Sequence, residues 1–237
     1  MSGHSHWATI KRKKADTDAK KSKEFSKMTR EISVSVRQGG PDPLGNIRLR
    51  MALDRARELN IPATTIERAV KKGEGKDPAD RFEEILLEAR GQEGVALLLE
   101  GITNNKNRTI GEMRTLLEKN GAKLVEEGAM RWLFDRKGVV VVTLSPSHSK
   151  EDIALRAIEA GAQDMREEEG ALLFYSNPTD LELVRQAMKA CKVSIETSFL
   201  EWVPKDTISL KEGDTLQNLI DLLEEHEDIQ RVFHNAF

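Results

Sequence analysis

A single cysteine, Cys191, stands among 237 residues, which excludes an intramolecular disulfide and any thiolate metal cluster. Long hydrophobic runs are missing as well. The longest, Val95 to Leu99 and Val139 to Val142, have strand length and fall far short of a membrane span. The basic N-terminus is not followed by the apolar core of a secretory leader, and Asp16 and Asp18 come too early for an organelle transit peptide. With 32% charged residues and a mean hydropathy of -0.51, the expected location is the cytoplasm, away from any membrane.

The usual catalytic signatures are also absent. There is no P-loop, no G-x-G-x-x-G after a strand, no G-x-S-x-G and no H-E-x-x-H. His4, His6, His148, His226 and His234 are scattered without metal-ligand spacing in the folded body. Glu167-Glu168-Glu169 falls at a predicted hairpin tip, where solvated acids are the usual explanation. Cys191 follows a helix end with no nearby histidine and reads as an inert small side chain. Ser2-Gly3-His4 at a processed terminus could chelate Cu(II) or Ni(II), but an arm built for anions accounts for it better. No enzyme, metal or cofactor is expected.

What the chain does have is a cationic beginning. Met1 to Ile32 opens with Gly3-His4-Ser5-His6-Trp7, packs Lys11-Arg12-Lys13-Lys14 in a row, and continues through Lys20, Lys21 and Lys23. Residues 1–76 hold 18 Lys+Arg against 9 Asp+Glu, a net +9. The other 161 hold 19 of the 37 cations and 31 of the 40 anions, a net -12. A split of that size points to a nucleic-acid-facing N-terminal region on an acidic body. The candidate contacts are Lys11, Arg12, Lys13, Lys14, Lys20 and Lys23, together with Arg48, Arg50, Arg55 and Arg57, which recur seven apart on roughly two faces of a predicted helix. Trp7, among cations and ahead of any predicted helix, is a candidate for stacking on bases. Phe25 lies on an apolar stripe and is assigned to the core.

Helical periodicity marks three N-terminal helices. Phe25, Met28, Ile32 and Val36 form one stripe, behind a start capped by Asp16 or Asp18. Leu49, Ala52, Leu53, Ala56 and Leu59 form the second, and Ile66, Ala69 and Val70 the third, opened by Pro62 and ended by Gly73. A linker, 73–78, follows, across which few contacts are expected. Beyond it strands alternate with helices: strands at 81–89 and 95–102, a helix at 105–120, a strand at 129–134 and a polar break at Asp135-Arg136-Lys137-Gly138. Residues 138–204 read as βαββαβ, the ferredoxin-like order. The last segment contributes a strand at 207–210, a helix at 214–225 and a strand at 229–233. It is too small to bury a core alone, so it completes the preceding sheet. The expected fold class is multi-domain α and α+β. It comprises a basic three-helix domain with its arm (1–76), an α+β domain (77–135 plus 205–237), and an inserted ferredoxin-like domain (136–204).

Several stretches resemble the YebC family: Gly3-His4-Ser5-His6-Trp7-Ala8-Thr9-Ile10-Lys11, Asp18-Ala19-Lys20, Arg30-Glu31-Ile32, Asn46-x-Arg48-Leu49-Arg50, Ile61-Pro62 and Ile66-Glu67-Arg68-Ala69. Thr103-Asn104-Asn105-Lys106-Asn107-Arg108-Thr109 is similar to that family's T-D-N-R-N-R-T segment, and Trp132-Leu133-Phe134 to the strand after it. The chain departs from the pattern at His6, where lysine is usual, and at Ala89 to Gly94, which replaces a G-x-G-P-G-G turn. The resemblance implies a helical bundle, an α+β domain and a ferredoxin-like insert. It also implies DNA-binding regulation of transcription, or a role in translation through structured RNA or the ribosome. The expected partner is therefore nucleic acid.

Overall fold

The computed structural model describes residues 7, 18–75, 81–145, 148–168, 170–210 and 213–236, without the side chains of 18–21, 213 and 214. These residues divide into two compact units. Among the described residues, one holds those of 18–133 and 208–236, and the other those of 134–207 together with Trp7.

In the first unit, helix α1 (Asp18–Gly39) packs against α2 (Ile47–Glu58) and α3 (Ala63–Glu74). Met28, Ile32 and Val36 of α1 meet Leu49, Ala52, Ala56, Ile61 and Ala69, with Phe25, Leu53, Leu59, Ile66 and Val70 packed around them. All three stripes expected from the 3.6-residue period meet in this cluster. The turn between α1 and α2 is fixed by the buried Asn46. Its Oδ1 caps α2 by accepting from Leu49 N at 3.0 Å, while Nδ2 donates to the carbonyls of Ser35 and Gly40. Gly73 does not end α3, which runs one residue further. A Cβ on Gly73 would lie 2.5 Å from the Ser33 carbonyl and 2.7 Å from Val36 Cβ, so the glycine lets α3 lie against α1.

The same unit contains a sheet of order β3-β1-β2-β8. Strands β1 (Glu83–Arg90) and β2 (Ala96–Thr103) form an antiparallel hairpin, α4 (Lys106–Lys119) follows, and β3 (Lys123–Leu124) pairs with β1. After the other unit, α7 (Gly213–Glu225) leads into β8 (Ile229–His234), which pairs antiparallel with β2. The core of this sheet joins Ile85, Leu87, Leu97 and Leu99 to Met113 and Leu117 of α4 and to Leu219 and Leu223 of α7. The strand expected at 207–210 is reduced to a single bridge, Ile208 to Ala236.

A strand was also expected at 129–134, and here the chain makes a 3-10 turn at Arg131–Leu133 instead. The cause is Glu88. Its buried carboxylate accepts the backbone N–H groups of Gly128 (2.7 Å), Met130 (2.6 Å) and Arg131 (2.9 Å), which takes those donors out of any ladder.

The second unit begins with β4 (Phe134–Thr143), which runs straight through the expected polar break. It pairs along its whole length with β7 (Ser194–Pro204), from Phe134 opposite Pro204 to Thr143 opposite Ser194. Between them come α5 (Lys150–Glu159), β5 (Ala162–Glu168), β6 (Ala171–Ser176) and α6 (Leu181–Ala190). The sheet order is β5-β6-β4-β7, antiparallel throughout.

Candidate nucleic-acid interface

Lys11, Arg12, Lys13 and Lys14 lie outside the described residues, as does the side chain of Lys20. Lys23 is exposed on α1. On α2, Arg57 is the most open of the four arginines, its side chain 70% accessible, with Asp54 one turn away at 2.9 Å. Arg50 is half-buried.

Arg48 and Arg55 are placed differently from the expectation. Glu84 and Arg231 alternate with core residues on β1 and β8, so their side chains leave the sheet on the side away from its core. Arg48 donates to the Glu84 carboxylate and to Gln38 Oε1. Arg55 donates to both oxygens of Glu31, at 3.3 and 3.4 Å, and Arg231 approaches the same carboxylate at 3.6 Å. Burial pushes the Glu31 carboxyl up, but Arg55, Arg231 and Arg48 outweigh it and hold the group below the ordinary range. A phosphate reaching Arg48 or Arg55 would have to displace a carboxylate already in contact. Arg48 thus joins α2 to the sheet, and Arg55 joins α2 to α1. The signal available in the sequence, seven-residue spacing, does not distinguish the two uses.

Other contacts also run from the helices to residues beyond 80. Arg30 and Lys72 stand over the Phe82 ring, 5.5 and 4.9 Å from its centroid. Lys27 donates to the Glu224 carbonyl, and Gln38 to Glu84 at 2.9 Å. Several polar contacts therefore cross the 73–78 boundary, where few were expected.

Sequence reasoning missed Asp228, which gathers four side chains. Its Oδ2 accepts from Arg108 at 2.7 Å, Thr109 at 2.7 Å and Thr103 at 3.2 Å. Its Oδ1 accepts from Arg30 at 2.5 Å. Thr103, Arg108 and Thr109 are the ends of the segment noted in the sequence, so much of that motif converges on one carboxylate. Burial raises the Asp228 carboxyl, but hydrogen bonds from Thr109 and Arg108 and the charge of Arg30 bring it below its ordinary value. Glu112 and His226 lie close enough to Asp228 to suggest a cation site. Two guanidinium groups already occupy the Asp228 oxygens, and that charge opposes a metal ion.

Trp7 corrects the sequence reading most directly. It is 8% exposed, packed with Val139, Val141, Ala171, Leu173, Tyr175 and Phe199 of the second sheet. In this arrangement the indole is enclosed by that cluster and is not turned toward solvent. Trp132, which drew no functional reading, is 65% exposed on its 3-10 turn, with Nε1 donating to the Ala129 carbonyl.

Two antiparallel four-stranded sheets, with a basic helical layer ion-paired to one of them, define a mixed α/β protein of two compact units. The chain belongs to the TACO1/YebC family. Residues 5–76 match the TACO1/YebC protein N-terminal domain, and residues 82–236 the second and third domain. A relative from Pelotomaculum thermopropionicum, named a probable transcriptional regulatory protein, is 43% identical over 238 residues, covering 99% of this chain and 98% of its own. A relative of the same description from Caldanaerobacter subterraneus is 40% identical, covering 100% and 98%. The crystal structure of a conserved hypothetical protein from Aquifex aeolicus superposes with a TM-score of 0.88 at 39% identity, over 98% of this chain and 97% of that one. No helix among the described residues is long and apolar enough to cross a membrane.

Proposed function

We propose that this protein is a non-enzymatic regulator of gene expression that binds nucleic acid through phosphate contacts from its N-terminal arm and α1. The observation that carries this reading is charge: residues 1–76 are net +9 on a chain of net -3 overall. A polyanion is drawn to that end and repelled by the rest. The naming of relatives as probable transcriptional regulatory proteins favours DNA as the target. The contacting set is Lys11, Arg12, Lys13, Lys14, Lys20, Lys23 and Arg57, carried by a basic helical domain. The α+β domain and the ferredoxin-like insert complete the proposed three-part architecture.

A second reading, binding to structured RNA, is favoured by the placement of Arg48 and Arg55. With both tied to carboxylates, the described helices offer no aligned set of side chains for base edges, and shape with phosphate contact is what suits folded RNA. A competition titration of labelled promoter DNA, scrambled DNA and ribosomal RNA fragments against the intact protein separates the two. On the RNA reading, similar affinity for both DNAs and tighter binding to folded RNA are expected. A promoter preference near the roughly thousandfold typical of base readout would overturn the RNA reading and make the protein a conventional DNA-binding regulator.

A further inference from the structure

The second sheet has two faces, and only one is covered by its helices. Gly138, at an even position of β4, abuts Leu181 of α6, so the even positions of β4 look toward the helices. The odd positions, Val139 and Val141, face the other way with Leu173, Tyr175 and Phe199. Trp7 lies on this second face, more than a hundred residues from it in sequence. Its Nε1 is buried and meets no acceptor among the described residues. Among the described residues the indole is thus held by apolar contact alone.

The charge of the face fits the segment that carries Trp7. Asp164, Arg166 and Glu168 on β5 lie opposite Tyr175, Leu173 and Ala171, and Glu201 follows Phe199 on the same side of β7. Burial first, then Glu201, Glu168 and Asp164, push the Tyr175 phenol upward, with Arg166 above its ring opposing them. The face is negative as well as aromatic, which disfavours a nucleic-acid base stacked there. The segment 134–207 holds nine Lys+Arg against thirteen Asp+Glu, while residues 1–15 hold four cations and no acid. Lys11 is four residues beyond Trp7 and Lys14 seven, at most about 14 and 25 Å of extended chain. Anchoring Trp7 therefore limits how far the four cations can stray from these carboxylates.

We propose that the face of the second sheet turned away from its helices is a docking site for the chain's own basic arm, anchored by Trp7 and favoured by Asp164, Glu168 and Glu201, and that polyanions compete for the arm. The competition rests on the reading of the arm as a phosphate contact; the docking does not. If the docked form holds nine tenths of the molecules, it lowers apparent affinity for a polyanion about tenfold.

The test is acrylamide quenching of the full chain carrying Trp132→Phe, whose remaining indoles are Trp7 and Trp202, with Trp7→Phe added in a companion to isolate the Trp7 share. Trp7 should be protected in the free chain and become accessible as inorganic polyphosphate, DNA or RNA saturates it. Trp7→Ala should raise polyphosphate affinity about tenfold, by removing the competing docked state. Should that variant misfold, Glu168→Gln with Glu201→Gln keeps the anchor and should lower the polyphosphate needed to expose it. A Trp7 open to quencher in the free chain, or still protected at saturating polyphosphate, overturns the proposal. Exposure by polyphosphate with no binding of DNA or RNA would leave docking standing and remove the proposed function. Nucleic-acid binding with Trp7 still protected would remove the competition and leave the proposed function standing.

Discussion

Removing the Asp228 carboxylate takes a partner from two guanidinium groups, those of Arg30 and Arg108, and from the hydroxyls of Thr103 and Thr109, although Arg30 keeps the Glu227 carboxylate at 2.9 Å. Arg108 is 45% accessible and can turn to water, whereas Arg30 is 14% accessible and largely cannot. Asp228→Ala should therefore cost about 3 kcal/mol, read as a fall in denaturant midpoint at unchanged slope. An unmoved midpoint would mean the cluster is decorative. Acidity acts on the same group. Its carboxyl, like that of Glu31, is held below the ordinary value. The resulting stability is complete above the unfolded carboxylate range, about pH 4, and is lost as pH falls through the lower folded values. Melting temperature should therefore drop below about pH 4, and Asp228→Asn should start lower and lose less over that interval. An identical acid limb in the variant would assign the loss to other groups.

At the scale of elements, Gly73 is the position where one added methyl does the most. Its Cβ would meet the Ser33 carbonyl at 2.5 Å, and backbone cannot swing aside as a side chain can. Gly73→Ala should destabilise by about 1–3 kcal/mol through overpacking of α1 against α3, measured by thermal or chemical unfolding. A stabilised variant would show that the helices separate freely. Gly73 also illustrates what the sequence left hidden. A glycine near a helix end reads as a stop, and only the approach of another helix reveals it as a contact. The stripes of α1, α2 and α3 were legible because a 3.6-residue period needs no knowledge of the partner. The strand through Asp135, Arg136 and Lys137 was not, because pairing with β7 satisfies the backbone whatever the side chains face. Trp7 was illegible for the same long-range reason: a lone aromatic in a basic arm has no period, and its neighbours come from three distant strands. The carboxylates that hold Arg48 and Arg55, Glu84 and Glu31, are 36 and 24 residues away, beyond the reach of any local helix rule.

For the whole molecule the decisive quantity is the salt dependence of binding. Each phosphate contact contributes about -0.9 to the log–log slope on duplex DNA. Replacing Lys11, Arg12, Lys13 and Lys14 together by alanine should flatten the slope by up to about 3.6 and weaken all sequences alike. Arg48→Ala and Arg55→Ala should leave the slope unchanged while lowering stability, because their partners are carboxylates of this chain. An unchanged slope after the fourfold replacement would make the arm a bystander. Phe134 and Pro204, the first and last residues of the β4–β7 ladder, sit directly opposite one another. A segment whose entrance and exit coincide can be acquired, exchanged or deleted in one genetic event while the flanking chain keeps its path.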